Sequence, residues 1–412
     1  MRTVTLPSSK SIALRTLLLA SVARGVSEIR GVTLCDDVKA LLSNFEALGV
    51  PYSVEPDRIC VEGRRWQPAE HLYCGESGFL ARTLPFLSAI QGHSGYIEGS
   101  GSLLHRQLND LSTLFAAAGG SCSSSNGCLP MAYTPLLPQR VIEIDKLDSS
   151  QSLSGLLMAL PLANTQIPIK FSEIPSSGYI DATLGVICKF SGIVERFEAL
   201  RTSSLASPIS YLRLLPTGYL PWNSTVEADW SAAAQVIATL QIGETLCLHG
   251  LNPDSSQPDR SILQVIEKAG WLTQWDDSAL YLNAQQPLRS FSFDATDTPD
   301  LFPALAALAT QAVGQSAITG VHRLRNKESD RAAALQMMLS SYGLQCRLKG
   351  DTLYIDGDLP HAQKTIPTFH DHRIAMAAAA IGLRCPTPPS LDDTACVAKS
   401  YPDFFACLPT RE

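Results

Sequence analysis

No stretch of the 412-residue sequence approaches the roughly 18 consecutive apolar residues that a membrane-spanning helix requires. Positive charge is not in excess either. The chain has 32 Lys and Arg against 39 Asp and Glu, a formal net charge of −7. No basic field is therefore spread out for nucleic acid, and an anionic ligand must be held by a local cluster. A CxxC pair is missing as well. Eleven cysteines run from Cys35 to Cys407, and although Cys122 and Cys128 are close, the second pair of a zinc site is absent. An odd, scattered set of thiols fits reduced, mostly buried cysteines in a cytosolic protein. The opening residues, Met1 to Lys10, show no apolar h-region ahead of a cleavage site, which points away from a secretory leader. What remains is globular composition, 45% hydrophobic and 17% charged, in a chain long enough for two or three domains.

One phrase recurs along the chain. Gly25-Val26-Ser27-Glu28-Ile29-Arg30-Gly31 is echoed from Gly92 to Gly99, from Gly243 to Gly250 and from Gly314 to Gly320. Each reads as a Gly ending a helix, a short strand and a Gly turn. An apolar-periodic segment then follows and stops at another Gly, as in Leu41 to Gly49, Leu108 to Gly119, Ile262 to Gly270 and Ala332 to Gly343. Alternating strand pairs come next, such as Trp271 to Trp275 with Ala279 to Leu282, and Leu344 to Leu348 with Thr352 to Ile355. A period of roughly 70 residues exceeds the common solenoid repeats. About six units would fill the chain, two of them poorly marked between 160 and 225. Uneven spacing favours two lobes of three units over a smooth array. The Pro-, Gly- and aromatic-rich stretch Leu212 to Ser224 suits a crossing between them.

Several turns at helix entrances carry chemistry. Ser8-Ser9-Lys10-Ser11, with Arg15, precedes an apolar helix expected over Thr16 to Ala23; a Ser cap, a positive dipole end and two cations are a local recipe for phosphate, or simply a capped helix with solvated cations. Cys74-Gly75-Glu76-Ser77-Gly78 enters a helix, and His105-Arg106-Gln107 opens another. Asp148-Ser149-Ser150-Gln151-Ser152 holds more hydrogen-bonding groups than one cap requires, which suits a hydroxylated, phosphorylated ligand. Ser176-Ser177-Gly178-Tyr179 is a similar loop. Asp300, at the mouth of a strongly apolar helix, is either an N-cap or a general base tuned by nearby cations. In Arg323 to Arg331, Lys327 and Arg331 are spaced i,i+4, so a helix would put both on one face beside Glu328. His370-Asp371-His372-Arg373 and Lys399-Ser400-Tyr401-Pro402 complete the set. No metal-ligand spacing accompanies it. Jointly these turns imply a cleft for a heavily anionic substrate pair.

In combination and order, Leu6-Pro7-x-Ser9-Lys10-Ser11 with Arg15, Cys35-Asp36-Asp37-Val38, Gly75 to Arg82, Ser149-Ser150-Gln151, Ser176 to Asp181, Thr298-Pro299-Asp300, Lys327 to Arg331, Asp371-His372-Arg373 and Lys399 with Tyr401 to Phe404 resemble the 5-enolpyruvylshikimate-3-phosphate synthases, the 3-phosphoshikimate 1-carboxyvinyltransferases. The resemblance covers nearly the whole chain. It implies an α/β (α+β) fold, a two-lobed inside-out α/β barrel in which each lobe has three βαβαββ units, helices inside and sheets outside. Lobe 1 would comprise 1–9 and 227–412, with the phosphoenolpyruvate side and the catalytic acids and bases. Lobe 2 would comprise 10–226 and the shikimate 3-phosphate side, with the active site in the cleft. The implied reaction transfers the enolpyruvyl group of phosphoenolpyruvate to the 5-hydroxyl of shikimate 3-phosphate and releases phosphate, without metal or organic cofactor. Its partners are those two small molecules, with no nucleic acid or membrane, and the resemblance implies a cytoplasmic monomer.

Carried over by motif, Lys10, Ser11, Arg15, Ser149, Ser150, Ser176, Tyr179, Asp300, Arg323 and Lys327 would hold shikimate 3-phosphate. Lys10, Gly78, Arg106, Gln151, Arg331, Arg373 and Lys399 would hold phosphoenolpyruvate. Asp300 is the candidate base, Glu328 and Lys10 are the candidate proton donors, and His372 would assist at the leaving phosphate. The substrates carry roughly five negative charges, and each close unlike pair contributes about 4 kcal/mol at 4 Å in an effective dielectric of 20. Lys10, Arg15, Arg82, Arg106, Lys327, Arg331, Arg373 and Lys399 supply the opposing charge, and cations drawn from both lobes imply closure on the first ligand. Glu76-Ser77-Gly78-Phe79 stands where the resembled family usually has Asn-Ala-Gly-Thr; the carboxylate would repel phosphoenolpyruvate unless it turns away or pairs with an Arg. Two alternatives are a UDP-N-acetylglucosamine enolpyruvyl transferase and a degenerate binding protein. The first is opposed by the Ser-Ser-Gln and Asp-His-Arg motifs, the second by the presence of Lys10, Asp300, Glu328 and Arg373.

Overall fold

Among the described residues of the computed structural model there are six sheets, five of them built to one plan. The structure describes residues 1–138, 141–144, 147, 149–171, 177–198, 210–276, 279–361 and 365–409. Its contacts divide the chain into two units: unit 1 comprises Met1–Ser9 with Glu227–Glu412, and unit 2 comprises Lys10–Val226.

Unit 2 contains helices α1 (Lys10–Val22), α2 (Asp36–Ala47), α3 (Gly78–Ala89), α4 (Asn109–Ala117), α5 (Ser150–Ala159) and α6 (Ser177–Lys189). A representative sheet joins His71–Tyr73 in parallel to Gly95–Glu98, which pairs antiparallel with Met131–Tyr133, itself antiparallel to Cys122–Ser123. With α3 and α4 between its strands, this is a βαβαββ unit. The sheets built around Gly25–Arg30 and Ile167–Phe171 follow the same order. Along the strands, apolar positions alternate inward: Leu72 is buried between exposed His71 and Tyr73. Every residue of α3 is buried, and α1 is buried from Ala13 onward, so these helices form the interior under the sheets.

Unit 1 has its own core and helices α7 (Trp230–Ala238), α8 (Ile262–Lys268), α9 (Phe302–Gln311), α10 (Arg331–Ser341) and α11 (His372–Gly382). Helices α7, α9 and α11 pack against one another. Their alanines, such as Ala233, Ala306 and Ala377, are buried and let the backbones approach closely. Arg2–Thr5 lies parallel to Thr245–His249, and Ser292–Asp294 lies parallel to Gln315–Thr319; each pair extends into two further antiparallel strands.

Some expectations need correction. Among the described residues only one repeat occupies the region of 160–225. The sixth lies instead at 365–391, reduced to the parallel pair Thr365–Ile366 and Ser390–Leu391 around α11. Lacking the strand pair, it lacked the signature used to find repeats. Helix α1 starts at Lys10 rather than Thr16, because Lys10 to Arg15 contains no Gly or Pro and its turns close onto the apolar run. Leu212–Leu214 belongs to the strand Ser210–Leu214 rather than to a crossing.

Candidate active site

In unit 1 the candidate residues interlace around Asp300. This residue sits on the 3-10 turn Pro299–Leu301, just ahead of α9, whose N-cap position is Leu301 with no side-chain cap bond. Its carboxylate is therefore not a cap. Oδ1 accepts from Arg331 at 2.9 Å and from Lys327 at 3.3 Å, and Oδ2 accepts from Arg373 at 3.2 Å. Arg331, with 0% side-chain exposure, also donates from Nε to Asp371 at 2.9 Å and from a terminal nitrogen to Glu328 at 2.5 Å. The other oxygen of Glu328 faces Lys399 Nζ at 3.4 Å.

Asp371 has two jobs. It caps α11 by accepting from the Arg373 amide at 3.0 Å, and it accepts from the Ser329 hydroxyl at 3.1 Å beside Arg331. A carboxylate pinned at a helix entrance is a rigid counter-ion. Four cations and three carboxylates are thus mutually paired here. Burial alone would push the Asp300 carboxyl up, but Arg373, Lys327 and Arg331 outweigh it and hold it well below the usual range. Burial lowers Lys327 despite Asp300, whereas for Arg331 and Arg373 the surrounding carboxylates overcome burial and raise them.

The i,i+4 spacing of Lys327 and Arg331 does not place them on one helix. Asp330 caps α10 by accepting from Ala333, so the helix begins only at Arg331. Lys327 lies in the preceding turn and still reaches the same oxygen. His372, the first residue of α11, is 1% exposed, its Nδ1 3.9 Å from Asp371. Arg323 lies half-buried on the turn Val321–Leu324.

The second cluster belongs to unit 2. Lys10 Nζ pairs with Asp37 at 2.9 Å. Arg15, 2% exposed, donates from Nε to Thr183 Oγ1 at 2.8 Å and from a terminal nitrogen to the Ser11 carbonyl at 2.8 Å; the Tyr179 carbonyl lies 3.5 Å away. Its guanidinium sits 4.5 Å above the Phe79 ring, and burial lowers its pKa to about 10. Ser149 caps α5 by accepting from the Gln151 amide, with Ser150 buried behind it. A side chain at Gly78 would meet Arg106 at 3.0 Å, Arg82 at 3.2 Å and the Gln151 side-chain oxygen Oε1 at 3.7 Å, so these four residues converge. Arg82 is held by Asp110 at 3.1 Å, which also accepts from Ser152 at 2.5 Å. Ser176 lies outside the described residues.

Sequence reasoning gave no role to Asp37, Asp110, Thr183 or Asp259. Asp37 lay inside a quoted motif. Thr183 and Asp110 sit in helices α6 and α4, where no local pattern marks them. Asp259 is 2% exposed and accepts from the Ser231 hydroxyl; burial and the charge of Asp300 push its carboxyl up to about 6, against the opposing pull of Arg373.

The fold of repeated βαβαββ units is similar to that of solved enolpyruvyl transferases. The chain superposes on an EPSP synthase from Acinetobacter baumannii with a TM-score of 0.78 and 24% identity, covering 98% of this chain and 94% of that one. It also superposes on the enolpyruvyl transferase NikO from Streptomyces tendae with a TM-score of 0.76 and 17% identity, covering 99% and 94%. Its sequence is 30% identical over 408 residues to the 3-phosphoshikimate 1-carboxyvinyltransferase of Clostridium kluyveri, covering 98% of this chain and 93% of the relative. Against that of Syntrophobacter fumaroxidans the identity is 33% over 411 residues, with 98% and 95% covered. Residues 2–408 match the family described as EPSP synthase (3-phosphoshikimate 1-carboxyvinyltransferase), and the chain belongs to that family.

Proposed function

We propose that the chain transfers the enolpyruvyl group of phosphoenolpyruvate to the 5-hydroxyl of shikimate 3-phosphate, releasing phosphate. The observation that carries this reading is the Asp300 carboxylate ringed by Lys327, Arg331 and Arg373 and neighboured by Glu328. Ser11, Arg15, Ser149, Ser150 and Tyr179 take shikimate 3-phosphate, and the same assignment by motif extends to Ser176, Arg323 and Lys327. Gly78, Arg106, Gln151, Arg331, Arg373 and Lys399 take phosphoenolpyruvate, and Lys10 serves both ligands. Arg331 is enclosed by carboxylates, so it reaches phosphoenolpyruvate only by releasing Asp300 or Glu328.

This exchange has a chemical use. A carboxylate held well below its usual pKa is a weak base. When ligand anions draw Arg373 and Lys327 away, Asp300 regains basicity and can accept the 5-hydroxyl proton. Lys10, or Glu328 in its protonated form, delivers a proton to the methylene carbon while the 5-oxygen bonds to the adjacent carbon; the tetrahedral intermediate then returns a methyl proton to the same group and expels phosphate, with His372 assisting. Among the described residues no helix is long and apolar enough to cross a membrane. We further propose a cytoplasmic location, in keeping with the odd, scattered set of cysteines in the sequence, and a monomeric state.

Phosphate release with both substrates present tests the proposal. Turnover that requires both is expected; binding of shikimate 3-phosphate without turnover would instead identify a binding protein of this fold.

A further inference from the structure

Glu76 places a carboxylate two residues before Gly78, where an anionic ligand should find it repulsive. The geometry around it has another purpose. Two turns run side by side there, stitched by the Cys74 amide donating to the Glu98 carbonyl and the Ser100 amide donating to the Gly75 carbonyl, both at 2.8 Å. Glu76 Oε2 extends this seam, accepting from the Ser102 amide at 3.1 Å and from its hydroxyl at 2.9 Å. Gly101, with φ +53°, has no room for a side chain against that carboxylate. The Ser102 oxygen in turn accepts from Arg106 at 3.5 Å. Arg106 is only 8% exposed, and its other terminal nitrogen is the one that faces Gly78.

We propose that Glu76 is a positioning residue for the phosphoenolpyruvate pole: by fastening the Ser102 turn it aims Arg106 at the ligand. This role rests on the substrate assignment above. One oxygen gathers two donors and leaves the Ser102 lone pairs directed at Arg106, and the carboxylate's charge strengthens that relay. With its charge engaged on the turn, Glu76 acts through Arg106 and not on the ligand.

Reach and charge can be separated by substitution. Glu76→Gln keeps an acceptor oxygen at the same distance without the charge. Glu76→Asp keeps the charge but withdraws it by about 1.5 Å, one carbon–carbon bond. Steady-state phosphate release, with phosphoenolpyruvate varied at saturating shikimate 3-phosphate, should show KM raised about tenfold in Glu76→Asp and Glu76→Ala, the effect of losing roughly one hydrogen bond's net contribution. Glu76→Gln should restore KM to within about threefold of wild type, and kcat should change less than KM throughout. Calorimetric affinity for shikimate 3-phosphate should stay constant. The opposite pattern, with Glu76→Gln and Glu76→Ala lowering KM and Glu76→Asp matching wild type, overturns the role and leaves simple repulsion. Ser102→Ala severs the relay independently and should raise KM several-fold; an unchanged KM there also overturns the role. If wild-type protein shows no turnover at all, the substrate assignment fails, and this role fails with it.

Discussion

Arg331→Met removes one charge from a site where that charge has three carboxylate partners. Arg331 has 0% side-chain exposure, and its nitrogens reach Asp371 at 2.9 Å, Asp300 at 2.9 Å and Glu328 at 2.5 Å. Methionine fills much of the volume, so the loss is mainly electrostatic. Asp300 retains Lys327 and Arg373, and Glu328 retains Lys399. Asp371, fully buried, loses its close cation and keeps the Ser329 hydroxyl and the Arg373 amide. Breaking a buried pair from one side typically costs about 3–5 kcal/mol. In a unit of roughly 200 residues each kcal/mol shifts Tm by about 2–4 °C, so the expected loss is about 10 °C at pH 7.

The pH dependence provides a second check. Asp300 has a folded pKa below its unfolded one, so its contribution to stability is present above the unfolded value and is lost as pH falls through the folded one. The difference between wild type and Arg331→Met should therefore be full at pH 7 and narrow below about pH 4. Arg331→Lys, which keeps charge without the planar fork, should recover only part of the loss. Thermal melts followed by circular dichroism across that pH range measure both effects. A Tm change under about 3 °C, or a difference constant with pH, would refute the reasoning.

Asp300→Ala should cut turnover by about 100-fold or more while shikimate 3-phosphate affinity falls far less, as for a base that also frees its cations; equal losses in kcat and affinity would make it a positioning residue. For Asp259→Asn the sign is reversed. A carboxyl raised to about 6 in the fold disfavours the folded state above that pH, so the amide should stabilise by up to about 3 kcal/mol at pH 8 and be neutral at pH 4, read from Tm at both. Thr183→Val removes the acceptor 2.8 Å from Arg15 Nε and should weaken shikimate 3-phosphate binding roughly tenfold by calorimetry; unchanged affinity would show that Thr183 does not aim Arg15.

Much of this architecture was legible because its signals are local. Gly343, with φ +69°, ends α10 where the apolar period stops, and a left-handed residue after a helix favours glycine. The cationic turns could be read for the same reason: Lys327, Glu328, Arg331, Asp371 and Arg373 lie in two short segments. Their geometry was less legible. A spacing of four suggests a helix face, but Asp330 as a cap starts the helix too late to include Lys327. Partners distant in sequence were invisible. Thr183 meets Arg15 across 168 positions, and Asp110 meets Arg82 across 28, contacts created by packing rather than by pattern. Glu76 was legible as a charge and illegible as an anchor, because the Ser102 turn that captures it is defined only once Gly101 has bent the chain against it.

The strand Arg2–Thr5 completes its sheet only by lying alongside Thr245–His249. During synthesis at about 5–20 residues per second, some 240 residues separate the two, so the first strand waits roughly 10–50 s for its neighbour. Every residue of the continuous unit, Lys10–Val226, leaves the ribosome within that interval. The nascent chain therefore carries an unmatched strand while its middle can already collapse, and the discontinuous unit can close only after the middle has been made.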